Sequence, residues 1–407
     1  MTQYLSHTLL SGLRIIHLPM QSPVAYCGFV VNVGSRDEAE NEHGYAHLVE
    51  HLLFKGTTKR KACHIRNRME NVGGELNACT TKEETFVYSI FMKKDFERAV
   101  ELIADLITHS QFPANEIVKE RDVVLDEIQS YEDNPAELIF DEFENLLFNG
   151  HALGHDILGN KRTLKKFETE TGLAFTRRHY TAGNMVFFSM GEIQFNDIMR
   201  FAEKYFAEIP AKTCQCSRIK PQSIIPQSLV KKKKTHQAHV ATGGLAYDMY
   251  NEKRIGLFLL NNILGGPGMN NRLNVSLREK HGLVYQVESH ITSYTDTGLC
   301  SIYFGTDHDN KDYAMQLVKK ELRRLCDNKM SDTQLSMAKK QAFGQMVLSN
   351  ENKEAQFLRL GKSFLHYDRY DSLPEIFHKI EQITPGQIME IANEIYNPDQ
   401  LFCLVFK

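Results

Sequence analysis

The sequence lacks what would mark a membrane, secreted or nucleic-acid-binding protein. No apolar run approaches the roughly 20 residues that a spanning helix needs. The formal net charge is only −3 over 407 residues, so no global field favours nucleic acid or an anionic membrane surface. The eight cysteines follow no regular spacing, which excludes a disulfide framework of the secreted kind. The pair in "CQC", Cys214 and Cys216, reads as incidental to a loop rather than as metal ligands. The opening "MTQYLSHTLLSGLRIIHLPMQ" has no basic leader before Arg14 and no long apolar core. It reads neither as a secretory signal nor as an Arg- and Ser-rich transit peptide. "LGGPGMNNRL" (264–273) is glycine-rich but has no Gly-Lys-Ser/Thr, which excludes a phosphate loop; it reads as a turn. These absences predict a cytoplasmic protein in a reducing setting.

What is present is enough apolar residue, 42%, to fill more than one core, and a chain of this length divides into at least two domains. "GLRIIHLP", "AYCGFVVNVGS" and "ETFVYSIFM" are rich in branched and aromatic residues and read as strands. "KDFERAVELIADLIT" spaces Phe96, Val100, Ile103 and Ile107 as one helix face. "ANEIVKERDVVLDEIQSYEDNP" reads as a long helix that Pro135 closes. Residues 213–233, with two prolines and the start of a four-lysine run, read as a linker with a solvated end.

Beyond that linker the pattern repeats. "AHLVEHLLFKG" aligns with "LFLLNNILGGP", placing His47 on Phe258, Glu50 on Asn261 and His51 on Asn262 at an offset of 211. "VYSIF" (87–91) falls on "LCSIY" (299–303) at offset 212, and "FERAVELIADL" on "YAMQLVKKEL" at offset 217. The order and near-constancy of the offsets predict an α+β fold. It consists of two homologous α/β-sandwich domains, 1–212 and 234–407. Each has a mixed, mostly antiparallel sheet with helices on one side. Only the first keeps the polar triplet.

On a helix, at about 100° per residue, His47, Glu50, His51 and Phe54 share one arc, and Leu48, Val49, Leu52 and Leu53 take the other. One side can pack while two imidazoles and a carboxylate project together. Histidines at i and i+4 suit two nitrogen ligands on one tetrahedral zinc. Glu50 can reach a water at that metal without occupying a coordination position, accept its proton and pass it to a leaving amine. His-x-x-Glu-His is the inverted form of the common zinc-protease motif. His43 extends the row to i, i+4, i+8, but Gly44 places it at the helix start. A third ligand must come from elsewhere. The helix before Pro135 offers Glu116, Glu120, Asp126, Glu127 and Glu132, and spacing alone does not choose among them.

"GYAHLVEHLLFKGT", "GGELNACTTKEETFVY" and "ERDVVLDEIQSYEDNP" together resemble the pitrilysin and insulinase superfamily, most of all its mitochondrial-processing-peptidase group. The resemblance covers nearly the whole chain. It implies one zinc per chain, with the third ligand about 76 residues after the second histidine, which is Glu127. It also implies a supporting carboxylate seven residues earlier, Glu120. It implies an edge strand around Asn77 and Ala78 that pairs with an extended peptide, and a clamp on the substrate carbonyl formed by Arg278 and Tyr285. Glu137 and Asp141 fall where processing peptidases receive a substrate arginine. The activity implied is a zinc-dependent endopeptidase cutting peptides or unstructured segments in an enclosed chamber, with Glu50 as general base. Larger members close their chamber with four such domains. Two domains therefore imply a homodimer, or a heterodimer with a zinc-less homologue. Some relatives are structural subunits of a respiratory complex that have lost metal ligands; here every ligand position is filled.

Overall fold

The computed structural model describes residues 4–212, 218–222 and 225–407, so Cys214 and Cys216 lie outside the described residues. The chain divides into two compact units. The first holds a six-stranded sheet built from β1 (Leu5–Thr8), β2 (Arg14–Pro19), β3 (Val24–Val31), β4 (Glu75–Thr80), β5 (Thr85–Met92) and β6 (Met185–Gly191). Its order is β1-β2-β6-β3-β5-β4. The second sheet comprises β7 (Ser228–Lys231), β8 (Ala238–Ala246), β9 (Val284–Ser293), β10 (Gly298–Thr306) and β11 (Phe402–Phe406). Its order is β7-β11-β8-β10-β9. Each sheet has a single parallel pairing, β2 with β6 and β7 with β11. With β1 set aside, the two sheets have the same order and the same strand senses. The fold is α+β, two mixed and mostly antiparallel sheets layered with helices.

The first half of the chain contributes α1 (Tyr45–Leu53), α2 (Ala62–Glu70), α3 (Phe96–His109), α4 (Ala114–Glu132) and α5 (Pro135–Leu147). It continues with α6 (Lys161–Leu164), α7 (Thr169–His179) and α8 (Phe195–Tyr205). The second half contributes α9 (Arg254–Gly265), α10 (Lys311–Asp327), α11 (Asp332–Ser349), α12 (Lys353–Tyr367), α13 (Leu373–Glu381) and α14 (Pro385–Ile395).

Alternation along the strands sends successive side chains to opposite faces, and here both faces are buried. In the first sheet Ile15, Cys27, Phe29, Val87 and Phe187 pack among α1, α3 and α8. Their neighbours Ile16, Val30, Phe86, Val186 and Phe188 pack on Phe357, Leu360 and Phe364 of α12. The approach is close: a Cβ on Gly361 of α12 would come within 2.8 Å of the Phe188 ring. In the second sheet Val240, Ile302, Phe304 and Val405 face Leu257, Leu322 and Ile391. Ala241, Tyr303, Leu404 and Phe406 face Ile139, Phe143 and Leu147 of α5. Each sheet thus has several helices on one face and a single helix on the other.

The single helix on each far face comes from the other half of the chain. Residues 130–154, with α5, belong to the second unit, and residues 350–372, with α12, belong to the first. This departs from the expected division at 1–212 and 234–407. The apolar stripes of α5 and α12 are alike in kind, so neither stripe says which sheet it covers. The expected linker also differs at its end. Ser228–Lys231 is strand β7, in parallel register with Cys403–Phe406 of β11, and Lys231 pairs with Glu142 of α5. The first lysine of the run is therefore an ion-pair partner on a sheet edge rather than a solvated linker end. No helix among the described residues is long and apolar enough to cross a membrane.

Candidate metal centre

The helix that carries the polar triplet begins at Gly44, whose φ of +92° lies in the left-handed region. A Cβ there would meet Leu158 O at 2.7 Å and the Gly159 Cα at 2.9 Å, so both conformation and space demand glycine. The buried Glu38 carboxylate accepts from the backbone N–H of Gly44 at 2.9 Å and of Ala46 at 2.7 Å. It satisfies two of the helix's unpaired donors. Burial pushes the Glu38 carboxyl well above the usual carboxylate range, against these two N–H donors. Nothing in the sequence pointed to Glu38, which lies outside the usual capping spacing. Gly44→Ala is expected to destabilise the chain by about 2–4 kcal/mol, from left-handed strain plus overpacking. Denaturant unfolding at constant m-value measures it.

Helix α1 buries Leu48, Val49, Leu52 and Leu53 in the core and turns His47, Glu50 and His51 toward α4. On α4 the buried positions Ile117, Glu120 and Val124 face inward, which brings Glu127 to the same side. His47 Nε2 lies 3.8 Å, and His51 Nε2 3.9 Å, from Glu127 Oε2. The three ligand atoms lie within 4.8 Å of one another, the one such group of His, Cys, Asp or Glu among the described residues.

Do these donors fit a metal? Bond lengths of about 2.0–2.2 Å in a tetrahedron set ligand atoms roughly 3.3–3.6 Å apart. The two histidine–carboxylate pairs, at 3.8 and 3.9 Å, are a few tenths of an ångström wider, within reach of side-chain rotation. Two imidazole nitrogens and one carboxylate oxygen match the donor set of a zinc site that keeps an open position. Burial, with the neighbouring His51, pushes the His47 pKa down to about 3, so its imidazole stays neutral with a lone pair to offer. Glu120 Oε2 accepts from His51 Nδ1 at 3.2 Å, the tautomer that leaves Nε2 free to face Glu127.

Glu50 stands beside this group. Its Oε2 accepts a hydrogen bond from Thr80 Oγ1 at 2.7 Å. Burial raises its pKa, the Thr80 bond and His51 oppose that rise, and the Glu127 charge adds to it. The result is a carboxylate more basic than an exposed one. Thr80 was not singled out from the sequence, although it closes the segment that was. It ends β4, where Leu76 and Ala78 pack on the helix side and Cys79 on the opposite face. By alternation the Asn77 side chain lies with Cys79, away from the face of α1. β4 is the last strand of its sheet, paired only with β5, so the backbone of Asn77 and Ala78 borders an open edge.

The remaining expected residues lie in the second unit. Arg278 is in a π-helical turn, Asn274–Glu279, of the kind that often marks functional sites. Its Cζ lies 5.5 Å from the centre of the Tyr285 ring. Tyr285, on β9, is 83% exposed. Glu137 and Asp141 are on α5, whose opposite stripe covers the second sheet; Glu137 is exposed and Asp141 half-buried. The structure therefore gathers His47, Glu50, His51, Glu120 and Glu127 in one unit and pairs Arg278 with Tyr285 in the other. Glu137 and Asp141 do not belong to the unit that holds the histidines.

The second unit contains the counterpart of the cluster in another chemistry. Counting from the starts of α4 and α11, Glu127 corresponds to Gln345, and His51 corresponds to Asn262. Asn262 Nδ2 donates to Gln345 Oε1 at 2.7 Å. A direct amide pair joins α9 to α11 where the first unit places His51 opposite Glu127. Asn261, the counterpart of Glu50, accepts from Ser289 and Tyr396. The repeat has kept the geometry and closed it with neutral hydrogen bonds.

Comparison with known proteins bears on both units. Residues 16–161 match the family described as insulinase (peptidase family M16), and residues 167–342 match the peptidase M16 inactive domain. The chain is 31% identical over 401 residues to uncharacterized zinc protease YmxG of Bacillus subtilis, covering 98% of this chain and 97% of that protein. It is 32% identical over 391 residues to an uncharacterized zinc protease of Rickettsia felis, covering 96% and 94%. Among solved structures, a peptidase M16 inactive domain protein from Pseudomonas fluorescens superposes with a TM-score of 0.92 at 20% identity, over 99% of this chain and 97% of that one. A protease from Helicobacter pylori gives 0.91 at 20% identity, over 100% and 99%. At that identity the two structures speak for the fold.

Proposed function

The chain belongs to peptidase family M16, the insulinase family, and from that premise we propose that it is a zinc-dependent endopeptidase acting on extended peptides or unstructured segments. The observation that supports this reading is the cluster of His47, His51 and Glu127, whose ligand atoms lie within 4.8 Å of one another, with the Glu50 carboxylate beside them. His47, His51 and Glu127 would hold one zinc. When bound, the ion supplies Lewis acidity at its open position, making a water a better nucleophile and polarising the peptide carbonyl.

The chain's own residues do the rest. Glu50 takes a proton from the attacking water and gives it to the leaving amine. Thr80 holds one Glu50 oxygen by the 2.7 Å bond, leaving the other for proton transfer. Glu120 fixes the orientation of His51. An extended substrate adds as a strand to the open edge of β4, using the main chain at Asn77 and Ala78, and its side chains project alternately from that edge. Arg278 and Tyr285 donate to the oxygen on which charge develops. Glu137 and Asp141 attract basic residues of the substrate.

Tyr285→Phe is expected to lower kcat about 10- to 100-fold with KM little changed, because the phenol acts on charge that develops only in the transition state. Steady-state kinetics on one cleaved peptide separates the two constants. We further propose that the chain works as a homodimer in the cytoplasm, since a single chain carries both the metal ligands and the Arg278–Tyr285 pair. Sedimentation velocity tests the dimer, and a zinc-less homologue co-purifying in its place would point to the heterodimer. The reading as a whole is tested by digesting a pool of unstructured peptides, read by mass spectrometry. Cuts should disappear on chelation and return with zinc. Cuts indifferent to chelation would overturn it.

A further inference from the structure

The metal centre includes a charge that neither the motif nor the ligand set calls for. Lys55 follows His51 by four residues, in the turn just past the end of α1. Lys55 Nζ lies 2.7 Å from Glu120 Oε1, while Glu120 Oε2 receives His51 Nδ1 at 3.2 Å. The Glu120 side chain is 10% exposed, so both of its oxygens are committed, one to the ligand and one to the lysine. A carboxylate tethered at one oxygen can turn little about its own axis, so the lysine contact also fixes the oxygen that faces His51.

We propose that Lys55 is a positioning residue for the metal centre. It anchors one Glu120 oxygen, so that the other stays aligned on His51 Nδ1 and the His51 ring keeps Nε2 toward Glu127. The inference rests on the zinc reading above, and it assigns Lys55 a part in metal affinity rather than in contact with substrate.

Zinc dissociation constants, measured on the full chain by competition with a chromophoric chelator, test it without reference to activity. Lys55→Met keeps the aliphatic stem and removes the charge; it should weaken zinc binding about 10- to 100-fold, the range found when an outer partner of a ligand is lost. Lys55→Arg should restore most of the affinity. Glu120→Gln should match Lys55→Met, and the double variant should bind no more weakly than Glu120→Gln alone, because the lysine acts through the glutamate. The thermal midpoints of the metal-free forms should stay together, which a merely structural lysine would not allow. If Lys55→Met does not fold, Lys55→Gln serves in the same cycle. A Lys55→Met constant within twofold of wild type, or a double-variant loss equal to the product of the single losses, would overturn the proposal. A wild-type chain that takes no zinc from the chelator would overturn the underlying zinc reading instead.

Discussion

Glu50→Gln is expected to lower peptide turnover by at least about a thousandfold while zinc stays bound at one per chain. The amide keeps the size of the side chain and can still meet the Thr80 hydroxyl, so the helix and its ligands remain in place. It cannot accept a proton from water. General-base catalysis is worth about 10²–10⁴ in rate, and Glu50 serves twice, as base toward water and as acid toward the leaving amine, which places the loss at the upper end. The loss should fall on kcat, with KM little changed, because the missing interaction belongs to the transition state. Peptide cleavage and zinc content measured on the same preparation check both halves. A variant that lost its zinc would mean that Glu50 is a ligand rather than a base.

His51→Ala is expected to have the second large effect and a different signature. It removes one of three ligands and also leaves the buried Glu120 carboxylate without its N–H partner. Zinc per chain should fall from one toward zero at micromolar metal, and turnover should fall with it. Excess zinc should recover only part, since two remaining ligands cannot fix an open tetrahedral position. Glu127→Gln should behave alike but more mildly, because Glu127 is the more exposed ligand and its amide keeps an oxygen donor. Metal analysis after gel filtration reads the occupancy. The contrast with Glu50→Gln, where zinc is retained and turnover is lost, separates binding from catalysis.

How much of this was legible in the sequence depended on how local each feature is. The arc of His47, Glu50 and His51 against Leu48, Val49, Leu52 and Leu53 needs only helical periodicity, and the helix orients those residues as that periodicity requires. The internal repeat was visible as a row of offsets, and the two sheets share their order of five strands. The partner helix was less legible. Five carboxylates stand on or near its face, and only the resemblance singled out Glu127 and Glu120.

Features made by packing were not legible at all. The Thr80 hydroxyl reaches Glu50 across a strand and a helix, 30 residues apart. Glu38 caps α1 from outside the usual spacing. Nothing in the sequence joins Lys55 to Glu120, which stand together only in the fold. The assignment of α5 and α12 to the far faces of the sheets cannot be read from either helix, because an apolar stripe does not encode its partner. The amide pair Asn262–Gln345 shows the same lesson from the other side. Asn262 was read only as the position where the second half had lost His51, and its hydrogen bond appears only in the fold.

The most direct test of the central claim is the position of the metal itself. A crystal of the zinc-loaded chain should give one anomalous peak per chain at the zinc edge, about 2.0–2.2 Å from His47 Nε2, His51 Nε2 and a Glu127 oxygen. The Glu50 carboxylate should lie near that peak without touching it. A peak elsewhere, a Glu50 oxygen among its ligands, or no peak at all in a chain that cleaves peptides would contradict the account.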